Sequence, residues 1–196
     1  LVEVIGVGEG ETMTQPDLSQ RLNNLITTWE NEVVEFKQAG NDYSTDDIGK
    51  YFSALANEAN LRGTDGGWLV FGVNNKTRRV VGTDYRPQSE RLHSLKMQIA
   101  ENAEPRITFR EIRELAHADG RVLMFEIPAA PQGIPIAWKG HYYARAGESL
   151  VKWKAGHWQP FLTVPASRRT AKSLVPHCFY SARLNLPTGC PPIRRN

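Results

Sequence analysis

The sequence predicts an α+β fold: one compact domain over residues 14–162, with about three helices on a mixed sheet, between an N-terminal extension and a basic tail. Three observations predict it. Apolar residues recur at helical intervals in three separated segments. Short runs rich in β-branched and aromatic residues lie between and after them, bounded by Gly, Asn, Asp or Pro. Several of these runs come in pairs split by a turn, as hairpins do.

In chain order, Leu18, Leu22, Leu25, Ile26 and Trp29 mark one face of a first helix over 18–29. "EVVEFKQ" predicts a strand over 32–38, with Val34 and Phe36 facing one way and Glu35 and Lys37 the other. Ser44 and Asp47 have capping-box spacing ahead of a second helix over 45–59, whose face is Ile48, Phe52, Leu55, Ala56 and Ala59. Gly63, Gly66 and Gly67 follow, where left-handed backbone is wanted, and "WLVFGV" reads as a buried strand. "NNKTRR" turns into "VVGTD", a hairpin. Leu92, Leu95 and Ile99 place a third helix over 89–101, with Ser89 as its cap and Pro105 beyond its end. "RITFREIREL" and "RVLMFEIP" form a second hairpin around "AHADG", and "PIAWKGHYYARAG" supplies two short strands around Lys139-Gly140.

The charge is unevenly placed. Six of the 24 basic residues and none of the 21 acidic ones lie in 163–196, so the rest of the chain carries 18 basic groups against 21 acidic. A near-neutral body with a basic tail gives whole-chain charge little weight as a sign of a nucleic-acid-binding face. The tail has five prolines and no sustained period, and reads as disordered; residues 1–13 read as a disordered extension. The glycines of "GVGEG" precede neither a Lys-Ser/Thr pair nor a helix, so they make no phosphate loop. Cys178 and Cys190 lack metal-type spacing and read as free thiols, and the five histidines are scattered. No apolar run reaches the roughly 18 residues of a spanning helix, and no secretory leader opens the chain, so a cytoplasmic location and no membrane partner are expected.

The stretch "GTDGGWLVFGVNN" poses the functional question. In a phosphate-binding fold the order is strand, glycines, helix, which aims free N–H groups at the anion. Here the glycines follow a helix and precede a strand, so Gly66 and Gly67 read as a structural turn.

The ordered series Glu30, Glu35, Phe36, Lys37, Ala56, Asn57, Gly66, Gly67, Gly72, Gly82, Tyr143, Arg145 and Gly147 resembles the Schlafen-type AlbA-like domain over residues 30–150. The resemblance implies a compact α+β module that binds nucleic acid, DNA ahead of RNA, within a bacterial transcriptional regulator. Lys37, Arg78, Arg79 and Arg145, with Lys76 beside them, are then the phosphate contacts. A homodimer is one open assembly. Two departures stand out: "EANLRGTD" lengthens the link between Asn57 and Gly66, and nothing after Leu162 reads as a winged helix or ATPase segment.

Vertebrate Schlafen relatives imply an alternative, a metal-dependent endoribonuclease. Glu30 and Glu35 would then be catalytic and metal-binding, with Mg²⁺ or Mn²⁺ as cofactor; otherwise no cofactor is expected. The place of a third acid falls to Asn74 and Asn75, which bring no charge, leaving Asp65 or Asp84 to substitute. The plainer reading of Glu30 and Glu35 is a cap, or an ion pair with Lys37. ATP binding, a label of some relatives, has no Walker lysine behind it.

Overall fold

A computed structural model describes residues 13–27 and 32–153, all within the compact unit Leu1–Val164. The expected tail, and the expected extension except Met13, lie outside the described residues.

Three helices form where the periodicity places them. Helix α1 spans Gln15–Thr27. Thr14 and Asp17 cap it reciprocally: the Thr14 amide donates to Asp17 Oδ2 at 3.0 Å and the Asp17 amide to Thr14 Oγ1 at 3.4 Å. Helix α2, Thr45–Arg62, starts on Ser44, whose hydroxyl accepts from the Asp46 amide. It stops at Gly63, the one glycine of its exit with a left-handed φ, 64°. Helix α3 spans Ser89–Asn102 with Gln88 at its N-cap, one residue before the expected Ser89.

Two four-stranded sheets take the place of the single mixed sheet expected. The first, in the order β1-β2-β5-β4, is built from β1 (Val34–Lys37), β2 (Gly66–Phe71), β4 (Glu111–His117) and β5 (Gly120–Pro128). The pair β1–β2 is parallel, and α2 is the crossover such a pair requires. The second sheet is antiparallel, in the order β3-β6-β7-β8, from β3 (Ala103–Glu104), β6 (Ala137–Trp138), β7 (His141–Ala146) and β8 (Ser149–Lys152). The expected hairpin after β2 shrinks to one bridge, Val73 to Val80.

The first sheet is buried on both faces. Phe36, Val70, Val122 and Met124 pack with Leu18 and Leu22 of α1. Leu69, Phe71, Leu123 and Phe125 pack under α2 and α3, where Phe71 meets Tyr43, Tyr85 and Phe125 edge-on at 4.9–5.2 Å. Each such side chain contributes about 1.5–3 kcal/mol by leaving water.

Gly66 and Gly67 lie in the β2–β5 ladder, opposite Pro128 and Ile127, without left-handed angles. Close approach explains them: a Cβ on Gly66 would stand 2.4 Å from the Ile127 carbonyl oxygen, and one on Gly67 2.9 Å from that of Val33.

Helix α2 also carries the second sheet. The Ser53 hydroxyl donates to the Ile136 carbonyl at 2.7 Å and accepts from the Tyr143 amide at 3.2 Å. The Asn57 amide donates to the carbonyls of Ile136 and Tyr143, both at 3.0 Å, and accepts from the Ile136 amide at 2.8 Å. This pair, one helical turn apart, fixes where β7 runs.

Candidate nucleic-acid interface

Because β1 and β2 are parallel and end together, Lys37 opposite Phe71, the residues that leave both strands emerge side by side. That carboxyl-end crevice is where open sheets with crossover helices present their ligand groups. A cleft of about 350 Å³ runs from here along the whole of β1, an edge strand, back to Glu32 and Arg62 at its amino end. Its walls are β1 itself, Arg62 at the end of α2, Asn75 and Arg78 beyond β2, and Arg145, Gly147 and Glu148 of the β7–β8 hairpin.

Glu35, Lys37 and Arg145 meet in this cleft. Glu35 is buried and spends both carboxylate oxygens: Oε2 accepts from Arg145 Nη1, and Oε1 lies 2.7 Å from Lys37 Nζ. Arg145 is buried too, its Nε donating to the Gly147 carbonyl at 3.2 Å and its backbone amide to Glu58 Oε1 at 3.2 Å. Lys37 is partly exposed and extends over the Tyr51 ring at 4.9 Å. Burial opposes its charge, but the hydrogen bonds and charge of Glu35 and Tyr51 together outweigh that and hold its pKa above the ordinary lysine value. For Glu58 burial wins: its carboxyl sits above its usual range despite the Arg145 amide and charge beside it.

Arg78 differs from the other cations. Its guanidinium lies over the Phe36 ring at 4.6 Å, and among the described residues no carboxylate pairs with it. Its backbone is left-handed, φ 58°, an unfavourable state for a long side chain. A turn built by Asn74 holds it there. The Asn74 side-chain oxygen accepts from the amides of Lys76 and Thr77 at 3.0 and 2.9 Å, and its carbonyl accepts from the Arg78 amide at 2.8 Å.

The remaining sequence candidates fall elsewhere. Arg79 and Lys76 are exposed on the same turn and do not line the cleft. Glu30 lies outside the described residues. Asp65 is exposed and held by Arg110 at 2.5 and 3.0 Å, and Asp84 sits on a separate open shelf with Gln38 and Arg121. Among the described residues no three His, Cys, Asp or Glu side chains gather to hold a metal ion. Glu35 faces two cations, and the Asn74 side-chain oxygen accepts from two amides of its own turn.

Sequence reasoning missed Arg62 and Glu32, which pair across the rim of the cleft, Glu58 on its inner side, and Glu148 in the hairpin. One signal was present for the framework: Asn57 stands amid an apolar helix face, where a polar residue needs a structural partner. Arg62 and Glu32 carry no local signal, since only folding brings them together.

The family model described as "Schlafen, AlbA_2" matches residues 30–154, more than half of the chain. The chain belongs to this family. Its AlbA_2 domain therefore contains every described residue that lines the cleft. Among solved structures, the DIP2311 protein of Corynebacterium diphtheriae is similar at TM-score 0.51 and 17% identity, over 75% of this chain and 28% of that one. At that identity the likeness shows the fold alone, and this chain spans 28% of that protein's length. The N-terminal domain of a protein related to the ATP-dependent DNA helicase RecG, from Nitrosomonas europaea, aligns at TM-score 0.45 and 23% identity, over 74% of this chain and 97% of that one. No curated protein matches the chain. No helix among the described residues is long and apolar enough to cross a membrane.

Proposed function

We propose that the AlbA_2 domain binds nucleic acid through backbone phosphates seated in the cleft beside β1, as one module of a regulator-like protein, with DNA its first partner. The observation that carries this reading is Arg78: a cation without a carboxylate partner among the described residues, held over the cleft by an unfavourable backbone angle. Strain kept at one residue is a common mark of a working site. Lys37 stands in the same cleft with its charge secured, and Arg62 adds a third cation at the rim. Phosphate contacts ask only for cations and N–H groups placed along a groove, and the open edge of β1 supplies the groove.

The test uses the full chain, because its basic tail is a rival source of affinity. Labelled single-stranded DNA, duplex DNA and RNA are titrated in a salt series by fluorescence anisotropy, with wild type beside Arg78→Glu. Binding through the cleft predicts a loss of roughly tenfold or more on charge reversal, and a salt slope that falls by about 0.7–0.9 for the lost phosphate contact. Equal binding by the two proteins would mean that the tail or another surface does the work, and would sink this reading. RNA bound more tightly than DNA would reverse the choice of partner alone.

A further inference from the structure

We propose that Glu35 is the internal counter-ion of this cleft: a phosphate occupies it fully only by taking Lys37 away from Glu35, so Glu35 selects for polyanions. The proposal rests on the nucleic-acid reading above.

Two of the cations that line the cleft, Lys37 and Arg145, are the two that Glu35 holds. A carboxylate and a phosphate offer these donors the same kind of oxygen acceptor, so they compete for one seat. The competition is unequal. Arg145 is anchored three ways, by Glu35, by the Gly147 carbonyl and through its own backbone amide on Glu58, and it is buried. Lys37 is the exposed member, a flexible stem with one ion pair and a ring beneath it. An incoming phosphate therefore gains Lys37 first and leaves Arg145 with Glu35.

Arg78 sets the order of events. It is available without displacing anything among the described residues, so it makes the first contact and Lys37 the second. A small anion bound at Arg78 has too little to offer for breaking the Lys37–Glu35 pair. A sugar–phosphate chain, already held at Arg78, presents its next phosphate at high effective concentration and can break it. Glu35 thus acts as a specificity-determining residue, without itself touching the strand.

The experiment compares wild type with Glu35→Gln in the full chain, using labelled oligothymidylate in a salt series and inorganic phosphate as the small-anion probe. Gln keeps an acceptor for Arg145 and releases Lys37. The strand should bind roughly tenfold more tightly. The salt slope should steepen by about 0.7, one further phosphate contact on a single strand. Inorganic phosphate should compete measurably with the strand only in the variant. Unchanged or weaker strand binding by a cooperatively folded Glu35→Gln protein would overturn the proposal. Should the variant fail to fold, wild type decides: the Lys37 side-chain nitrogen resonance must shift as strand is added, and a resonance that stays put refutes the displacement. Strand binding that depends on Arg78 but meets neither condition removes the counter-ion role alone. Failure of every protein to bind any strand removes the nucleic-acid reading with it.

Discussion

Strand β7 is held at two places two residues apart, and the two are made of opposite materials. At Tyr143 the grip is neutral: the Ser53 hydroxyl and the Asn57 amide answer backbone groups of Ile136 and Tyr143. At Arg145 the grip is ionic, a buried pair with Glu35 of β1. Neutral hydrogen bonds whose partners are all supplied cost little to bury and do not respond to salt, so they suit the task of fixing position. A buried ion pair recovers little beyond its desolvation cost, so it is a poor way to add stability. On the binding reading proposed above, charge at the second seam serves the cleft, and the neutral seam beside it fixes the position of β7.

The neutral seam should therefore show the largest stability losses. Asn57→Ala leaves the Ile136 amide and the Tyr143 carbonyl without this partner, and the Ile136 carbonyl with the Ser53 hydroxyl alone, which predicts a loss of about 3 kcal/mol. Urea unfolding at low and at high salt should give the same loss. A loss that shrinks strongly with salt would mean that the ionic seam, and not Asn57, positions β7.

Gly49→Ala comes next and reverses an ordinary sign. In an exposed helix this change gains about 1 kcal/mol. Here the new methyl would stand 2.1–2.4 Å from the Trp138 indole, which is buried and tied through Nε1 to Asp46 at 2.9 Å. The ring cannot withdraw without breaking that bond, so a loss of about 2 kcal/mol is expected in a thermal melt. A stabilised variant would show that the contact between α2 and β6 is looser than the neutral seam requires.

Much of this was legible beforehand. The three helices, the β4–β5 hairpin and the pairing of Glu35 with Lys37 on one face of β1 follow from period and capping chemistry, which are local. The division into two sheets was not legible, because β3 and β6 have two residues each and β8 four, too short for a period to register. The site was half legible. Lys37 and Arg145 were identifiable as cations of interest, but the pairing of Arg145 with Glu35 joins residues 110 positions apart. Nor does any composition signal reveal that Arg78 adopts a left-handed backbone, since Asn74, four residues earlier, imposes it.

At Arg78, across the cleft from the charged seam, stability and function should separate. Arg78→Gly relieves a left-handed angle but loses the stacking over Phe36 and adds freedom to the unfolded chain. These terms nearly cancel, so stability should stay within about 0.5 kcal/mol of wild type. Strand binding should nonetheless fall roughly tenfold, because the cation without a partner is gone. A large stability loss with unchanged binding would make Arg78 a structural residue and blur the contrast between the seams.

The smallest effect expected is electrostatic and belongs to Glu58, where the two seams join. Burial raises its folded-state pKa above the unfolded value of 4.5. Between those two values the folded protein binds more protons than the unfolded chain, so stability falls as pH rises through the window and levels off above it. Asp46 has the opposite sign. Its hydrogen bonds from Trp138, Lys139 and Lys50 depress its pKa, so its contribution is present above its unfolded value of 3.8 and is lost on acidification. Glu58→Gln keeps an oxygen for the Arg145 amide and removes the charge. It should flatten the fall above pH 4.5 and raise neutral-pH stability by under about 1 kcal/mol, since the Arg145 amide and charge offset part of the cost of burial. Thermal melts across pH 2–8 would read this, with the acid limb due to Asp46, below pH 3.8, unchanged as the internal control. A variant that loses stability at every pH would show that Glu58 acts through its charge on Arg145 and on Arg62, 3.8 Å away, which would extend the ionic seam into α2.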